Sequence, residues 1–119
     1  MSRPLKVLVG VLVATAALPS TSALATDAYA AQGGRVLAQG WAPAGGKAGM
    51  AGVRDTYKKN WVKNEYNRAG TGKRKYTLWN KRGKGKTTYT KNGRKVTKIH
   101  VCEDRDKAPD ICSKWTPVK

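Results

Sequence analysis

The sequence predicts an all-β protein: a small antiparallel β-sandwich or barrel of about five strands, with one disulfide and a flexible N-terminal arm. Three observations carry that expectation. Runs of β-branched and aromatic residues recur between glycine-bearing turns across 53–102. Asn92-Gly93, the dipeptide most typical of a tight hairpin, stands between two of those runs. The only two cysteines, Cys102 and Cys112, enclose EDRDKAPDI near the C-terminus, and a lone pair of cysteines in an exported chain is expected to be bridged.

Export is read from the first residues. Arg3 and Lys6 form a positive start, Val7 to Leu18 is an uncharged apolar run, and Pro19-Ser20 ends it. This is the layout of a secretory signal peptide over 1–25, too short for a confident membrane span. Two small-residue cleavage sites compete, one after Ala25 and one after Ala30, and the first lies nearer the apolar run. The expected localisation is therefore secreted, with no stable membrane insertion once the signal is removed. Removal takes two basic residues from a formal charge of +17 and leaves every acid in place.

Residues 26–52 read as a flexible Gly/Ala-rich arm. Gly33-Gly34 and Gly45-Gly46 punctuate it, Pro43 opposes regular pairing, and no period of 2 or 3.6 is sustained. Val36, Leu37 and Trp41 are its apolar islands. Either Trp41 folds back on the domain, or the three residues anchor the arm in a partner by adding a strand to a sheet edge.

The basic β-domain occupies 53–119. Its expected strands are Val53 to Tyr57, Trp61 to Asn67, Tyr76 to Asn80, Thr87 to Thr90 and Lys95 to Cys102, separated by turns at 58–60, 69–72, 81–85 and 91–93. Register across the last turn is open. A two-residue Asn-Gly loop pairs Lys91 with Arg94, whereas a three-residue loop pairs Tyr89 with Lys95. The second gathers Tyr89, Thr97, Ile99 and Val101 on one face and is preferred, since a one-residue slip reverses every side chain. Lys98 and His100 then face solvent. With no Phe in the chain, Trp79 and Tyr89 are expected in the core.

Taken together, VRDTY, NEYNRAGTG, TLWNKRGKGKTT, VTKIHVC and PDICSKW resemble a group of small secreted actinobacterial β-domain proteins. These end in a Cys–Cys loop and a Trp, here Cys102, Cys112 and Trp115, and the resemblance covers about 53–115. It implies a compact domain and brings no activity with it. Some small β-sandwich proteins of this kind are adaptors in larger exported toxin assemblies and insert an N-terminal arm into a partner, which parallels the arm reading of 26–52. The present chain is far more basic than the group.

Charge points to the partner class. Between Lys58 and Lys98 there are fifteen Lys or Arg and one acid, Glu65. The expected polyanion-binding set is Lys73, Arg74, Lys75, Lys81, Arg82, Lys84, Lys86, Lys91, Arg94 and Lys95, which fall in turns and strand ends. Such a field attracts an anionic polymer (a cell-wall polymer or nucleic acid) or an acidic protein without a shaped pocket. Trp61, Tyr66, Tyr76, Trp79 and Tyr89 interleave with the cations and could stack on bases. Four of the seven acids, Glu103, Asp104, Asp106 and Asp110, sit in the disulfide loop instead.

Catalytic chemistry is weakly signalled. Glu65, His100 and Arg82 or Arg94 supply the residue types of a small secreted ribonuclease, but no local motif joins them. No metal site or cofactor is expected: one His and two bridged thiols do not make a zinc set, and Asp104, Asp106 and Asp110 lack the glycine and terminal Glu of a calcium loop. The sequence thus reads as a non-enzymatic, cationic binding protein. The alternative is an adaptor or inhibitor-type module docking through its arm, and the least favoured reading is a ribonuclease.

Overall fold

A computed structural model describes residues 25–57 and 60–119. The expected signal segment lies outside these residues except for Ala25. The described residues form nine strands: β1 (Thr26–Gln32), β2 (Arg35–Ala42), β3 (Gly52–Asp55), β4 (Val62–Arg68), β5 (Tyr76–Asn80), β6 (Thr87–Tyr89), β7 (Val96–Glu103), β8 (Ile111–Cys112) and β9 (Thr116–Pro117). They build two antiparallel sheets. The four-stranded sheet runs β1-β2-β3-β6, and the five-stranded sheet runs β9-β7-β4-β5 with β8 also paired to β7. The all-β class, the single disulfide and all five expected strands are present.

Residues 26–52 correct the flexible-arm expectation. They form a hairpin, β1–β2, closed at Gly33-Gly34, whose φ values of 61° and 76° are those a two-residue primed turn needs. The period-2 signal was there, written in small residues: Ala28 and Ala30 on β1, then Ala38, Gly40 and Ala42 on β2, point inward. A bulge opposite Ala30/Ala31 lets Leu37 and Ala38 both be buried. Among the described residues strands thus begin at Thr26 rather than near Val53.

The two sheets meet through an asymmetric core. The four-stranded sheet offers Ala28, Ala30, Ala38, Ala42 and Val53, while the five-stranded sheet offers Val62, Tyr66, Val96, Ile99 and Val101. The sheets approach closely at Gly40, where an added Cβ would stand 2.3 Å from Val101 Cγ2 and 3.0 Å from Asn64 Nδ2. Branched aliphatics fill so narrow a space and indoles do not. Trp79 and Tyr89, expected in the core, are accordingly exposed, and Tyr66 is the one fully buried aromatic among the described residues. Two buried amides fasten the sheets: Asn64 Nδ2 donates to Gly52 O and Asn80 Nδ2 to Val53 O, both at 3.1 Å.

The hairpin expected at Asn92-Gly93 does not form. β6 pairs with β3 instead, and β7 pairs with β4 from Val62↔Glu103 to Arg68↔Val96. β4 offers β7 a seven-residue partner where β6 offers three, so the longer ladder prevails and 90–95 becomes a crossing between sheets. Arg68 secures that crossing. Its guanidinium donates to Gly49 O (2.8 Å), Arg94 O (2.6 Å) and Lys91 O (3.3 Å), tying the 43–51 loop and the 90–95 crossing to the end of β4. Ile99 and Val101 do point inward as expected.

Candidate functional site

The outer face of the five-stranded sheet concentrates the unusual chemistry. Alternation along β5, β4 and β7 puts Trp79, Lys63 and Cys102 in one row and Thr77, Glu65 and His100 in the next. Asn67 and Lys98 follow, with Lys75 just ahead of β5. Beyond β7 the C-terminal tail completes the face. The Cys102–Cys112 disulfide joins directly paired residues of β7 and β8. The amide N–H of Ser113 then donates to Val101 O, and that of Val118 to Thr97 O, so the tail runs along β7. This lays Trp115 flat on His100, with ring centroids 4.6 Å apart and planes 9° from parallel.

Glu65 sits at the centre and is nearly buried. His100 Nδ1–H donates to its Oε1 at 2.8 Å, Lys75 Nζ lies 2.9 Å from Oε2, and Lys63 Nζ lies 3.6 Å from the same oxygen. Burial alone would raise this carboxyl. The bonds from His100 and Lys75 and the charges of Lys63 and Lys75 outweigh burial and hold it below its ordinary value. Asp110 behaves in the same way: burial raises it, but the 3.0 Å contact with Lys63 and the Arg105 amide bring it below its usual range. Both acids are therefore ionised and already matched by cations.

Around this neutralised centre lie unmatched cations and indoles. Trp61, Trp79 and Trp115 are 50%, 37% and 37% exposed. Trp61 and Trp79 meet edge to face at 6.3 Å, with Lys81 Nζ 4.2 Å from the Trp61 centroid. Lys98 Nζ is 5.5 Å from the Trp115 centroid. Between the tail and the β4–β5 turn is an open cleft of about 380 Å³, lined by Asn67, Lys73, Lys75, Lys98 and Trp115 among others. Asn67 Nδ2 donates to Arg74 O at 2.8 Å, fixing the turn that presents Lys73 and Lys75.

All ten cations of the expected polyanion-binding set are exposed, and the fold divides them. Lys73 and Lys75 line the cleft. Arg74 lies over Tyr76, and Lys81 over Trp61. Arg82 is tied to Thr87 O, while Lys84 and Lys86 belong to the same β5–β6 turn. Lys91, Arg94 and Lys95 sit in the crossing near the β4–β5 turn, where the Ala69 amide donates to Lys95 O. The set thus occupies the two ends of β5, bridged by the indole-bearing face. Lys98, Lys63, Trp61 and Trp115 are the residues this set lacked. Trp115 was visible only as the end of a motif, and its seat on His100 depends on the tail folding back along β7.

Glu65 and His100, which sequence could not join, are in direct contact because β4 and β7 are neighbours. Arg82 and Arg94 are not brought to them: Arg82 bonds Thr87 O, and Arg94 lies against Gly70. His100, Cys102 and Cys112 place ligand-type atoms within 4.8 Å of one another, but both sulfurs are committed to the disulfide. Asp104, Asp106 and Asp110 do not gather into a comparable cluster among the described residues.

The expected arm anchors lie in β2. Leu37 is buried, Val36 is exposed, and Trp41 packs over Gly52 and edge-on to Tyr89 at 6.1 Å. A second cleft, of about 330 Å³, includes Arg35, Tyr57, Glu103 and Arg105 in its lining. In it Arg35 lies over the Tyr57 ring and Arg105 is 4.0 Å from Glu103. Among the described residues no helix is long and apolar enough to cross a membrane. No protein family, curated protein or solved structure matches this chain.

Proposed function

We propose that this chain is an exported, non-enzymatic binding protein that engages a polyanion or an acidic partner through the outer face of its five-stranded sheet. One observation carries the reading. The acids on that face are already matched by Lys63 and Lys75, while Lys81 and Lys98 stand over exposed indoles and Lys73 lines the Trp115 cleft, with no acid paired to them among the described residues. A cation-rich surface of this kind attracts a charged polymer over distance and holds it by counterion release. The disulfide suits an oxidising compartment, in keeping with export.

The ribonuclease reading is disfavoured by the same geometry. Glu65 has both oxygens engaged, by the His100 ring on one and by Lys63 and Lys75 on the other, and Trp115 lies on one face of the His100 ring. Neither arginine of that reading reaches the pair. Adaptor docking through 26–52 stays as the alternative, but it would have to use the exposed side of the β1–β2 hairpin, at Tyr29, Val36 and Trp41, because those residues are held in the sandwich.

Two triple variants with equal change in charge test the proposal. In Lys73→Gln/Lys75→Gln/Lys98→Gln the cleft cations are lost. In Lys84→Gln/Lys86→Gln/Lys91→Gln they remain. Retention on an immobilised anionic polymer should fall with salt for every protein, and most for the cleft variant. Equal loss in both would refute a localised site, and salt-insensitive capture of a protein partner would favour the adaptor. RNA cleavage that disappears in His100→Ala would overturn the non-enzymatic reading.

A further inference from the structure

We infer that the polymer held on this face is a single-stranded nucleic acid, its bases stacking on Trp61/Trp79 and Trp115 and its phosphates taken by Lys81, Lys98 and the cleft lysines. The inference rests on the polyanion reading and narrows it. A polyphosphate needs ammonium groups alone and has no flat ring to place on an indole. Here three half-exposed indoles share one sheet face with the cations. The narrow core accounts for indoles lying outside, but not for three of the four gathering beside lysines on one sheet face.

The pairing of ring and cation is the second argument. Lys81 stands over Trp61 and also 5.6 Å from the Trp79 centroid, while Lys98 stands over Trp115. Each indole site thus offers a π-surface beside an ammonium group, which is what a nucleotide requires of a non-specific receptor: a plane for the base and a charge for the phosphate. The cations over the rings are on flexible side chains and can move aside to the backbone as a base arrives.

Spacing agrees. Trp79 on β5 and Trp115 beside β9 are separated by three strand intervals, about 14 Å across the sheet. An extended strand covers that distance with a few nucleotides. The cleft at Lys73, Lys75 and Lys98 opens beside Trp115 and, at about 380 Å³, has room for one nucleotide. A duplex is disfavoured because its bases are stacked inside, where side chains standing on a sheet do not reach their planes. An anionic membrane is disfavoured because Glu65 and Asp110, ionised at the middle of the face, would be carried into the headgroup layer.

The test uses the full chain with its disulfide intact. Intrinsic tryptophan fluorescence and an independent binding assay follow titration with oligothymidylate, a DNA duplex, polyphosphate of matched charge, and vesicles containing phosphatidylglycerol, each at low and moderate salt. Oligothymidylate should quench the indoles and bind about tenfold or more tightly than polyphosphate. Trp61→Ala/Trp79→Ala should lose about tenfold for the oligonucleotide and little for polyphosphate. Both residues are exposed, so this variant should stay folded, and its melting transition checks that. Trp115→Leu provides a second variant at the other stacking site.

Equal affinity for all the polyanions, with no indole effect, would overturn the inference and leave the polyanion reading standing. Preference for the duplex or for vesicles would overturn the inference as well. Failure to bind any polyanion at low salt would remove both.

Discussion

Gly40→Ala should be strongly destabilising for the addition of a single methyl, and Val101→Ala should partly repair it. The new Cβ would lie 2.3 Å from Val101 Cγ2, against an ordinary carbon–carbon contact of about 3.5–4.0 Å. Relief requires either an off-rotamer Val101, at about 0.5–1.5 kcal/mol, or parting of the sheets. Parting them also strains Asn64, whose Nδ2 is 3.0 Å from the same Cβ and holds Gly52 O at 3.1 Å. Loss of that buried bond costs about 1–3 kcal/mol. Replacing a strand glycine returns about 0.5–1 kcal/mol, so a net loss of about 2–4 kcal/mol is expected.

Val101→Ala alone removes two buried carbons and should cost about 2 kcal/mol. In the double variant the alanine Cβ occupies the vacated space, so the pair should be more stable than Gly40→Ala and less destabilised than the sum of the singles by about 2 kcal/mol. Urea unfolding followed by tryptophan emission, with the disulfide kept oxidised, measures all four corners. A Gly40→Ala variant within about 0.5 kcal/mol of the parent, or strictly additive singles, would refute the close approach of the two sheets.

Three further outcomes are expected. Cys102→Ala/Cys112→Ala opens a ring with a sequence separation of 10 and should cost about 3 kcal/mol by chain entropy. It should also loosen the tail, seen as a red shift of Trp115 emission, and an unchanged melting temperature would count against this. Glu65→Gln should lower stability near neutral pH by about 1–2 kcal/mol. Because the folded carboxyl titrates below the unfolded one, its contribution is complete above the unfolded value of about 4.3 and is lost as pH falls through the folded value. The gap between parent and variant should therefore close in acid, and a constant gap in pH-resolved melts would contradict the ion-pair assignment. Asn80→Ala would strip partners from Val53 O, Lys86 O and the Arg82 amide and should cost about 2–3 kcal/mol in the same unfolding assay.

The body strands were legible because Val, Ile, Thr and Tyr announce themselves, and β3 to β7 fall within a residue or two of their expected bounds. The β1–β2 hairpin was not. Its alternation is carried by Ala and Gly, which have too little side chain to register as apolar, and its period is broken by the Leu37 bulge. Composition resembling a linker was in truth one wall of the sandwich. The aromatic expectation failed for the matching reason: with that wall so close, Trp79 and Tyr89 had to turn outward. For the candidate site, the turn lysines were visible as local runs. The contact of Glu65 with His100, and the seating of Trp115, depend on β4 and the tail flanking β7. Neither pairing leaves a mark at short sequence range.

The wall of alanine and glycine has an effect on the opposite surface. A domain with such a shallow interior can conceal few rings, so most of its aromatic residues must be displayed. The thinness of the inside thereby determines the texture of the outside, where flat groups on strands and at strand ends stand in water beside lysines.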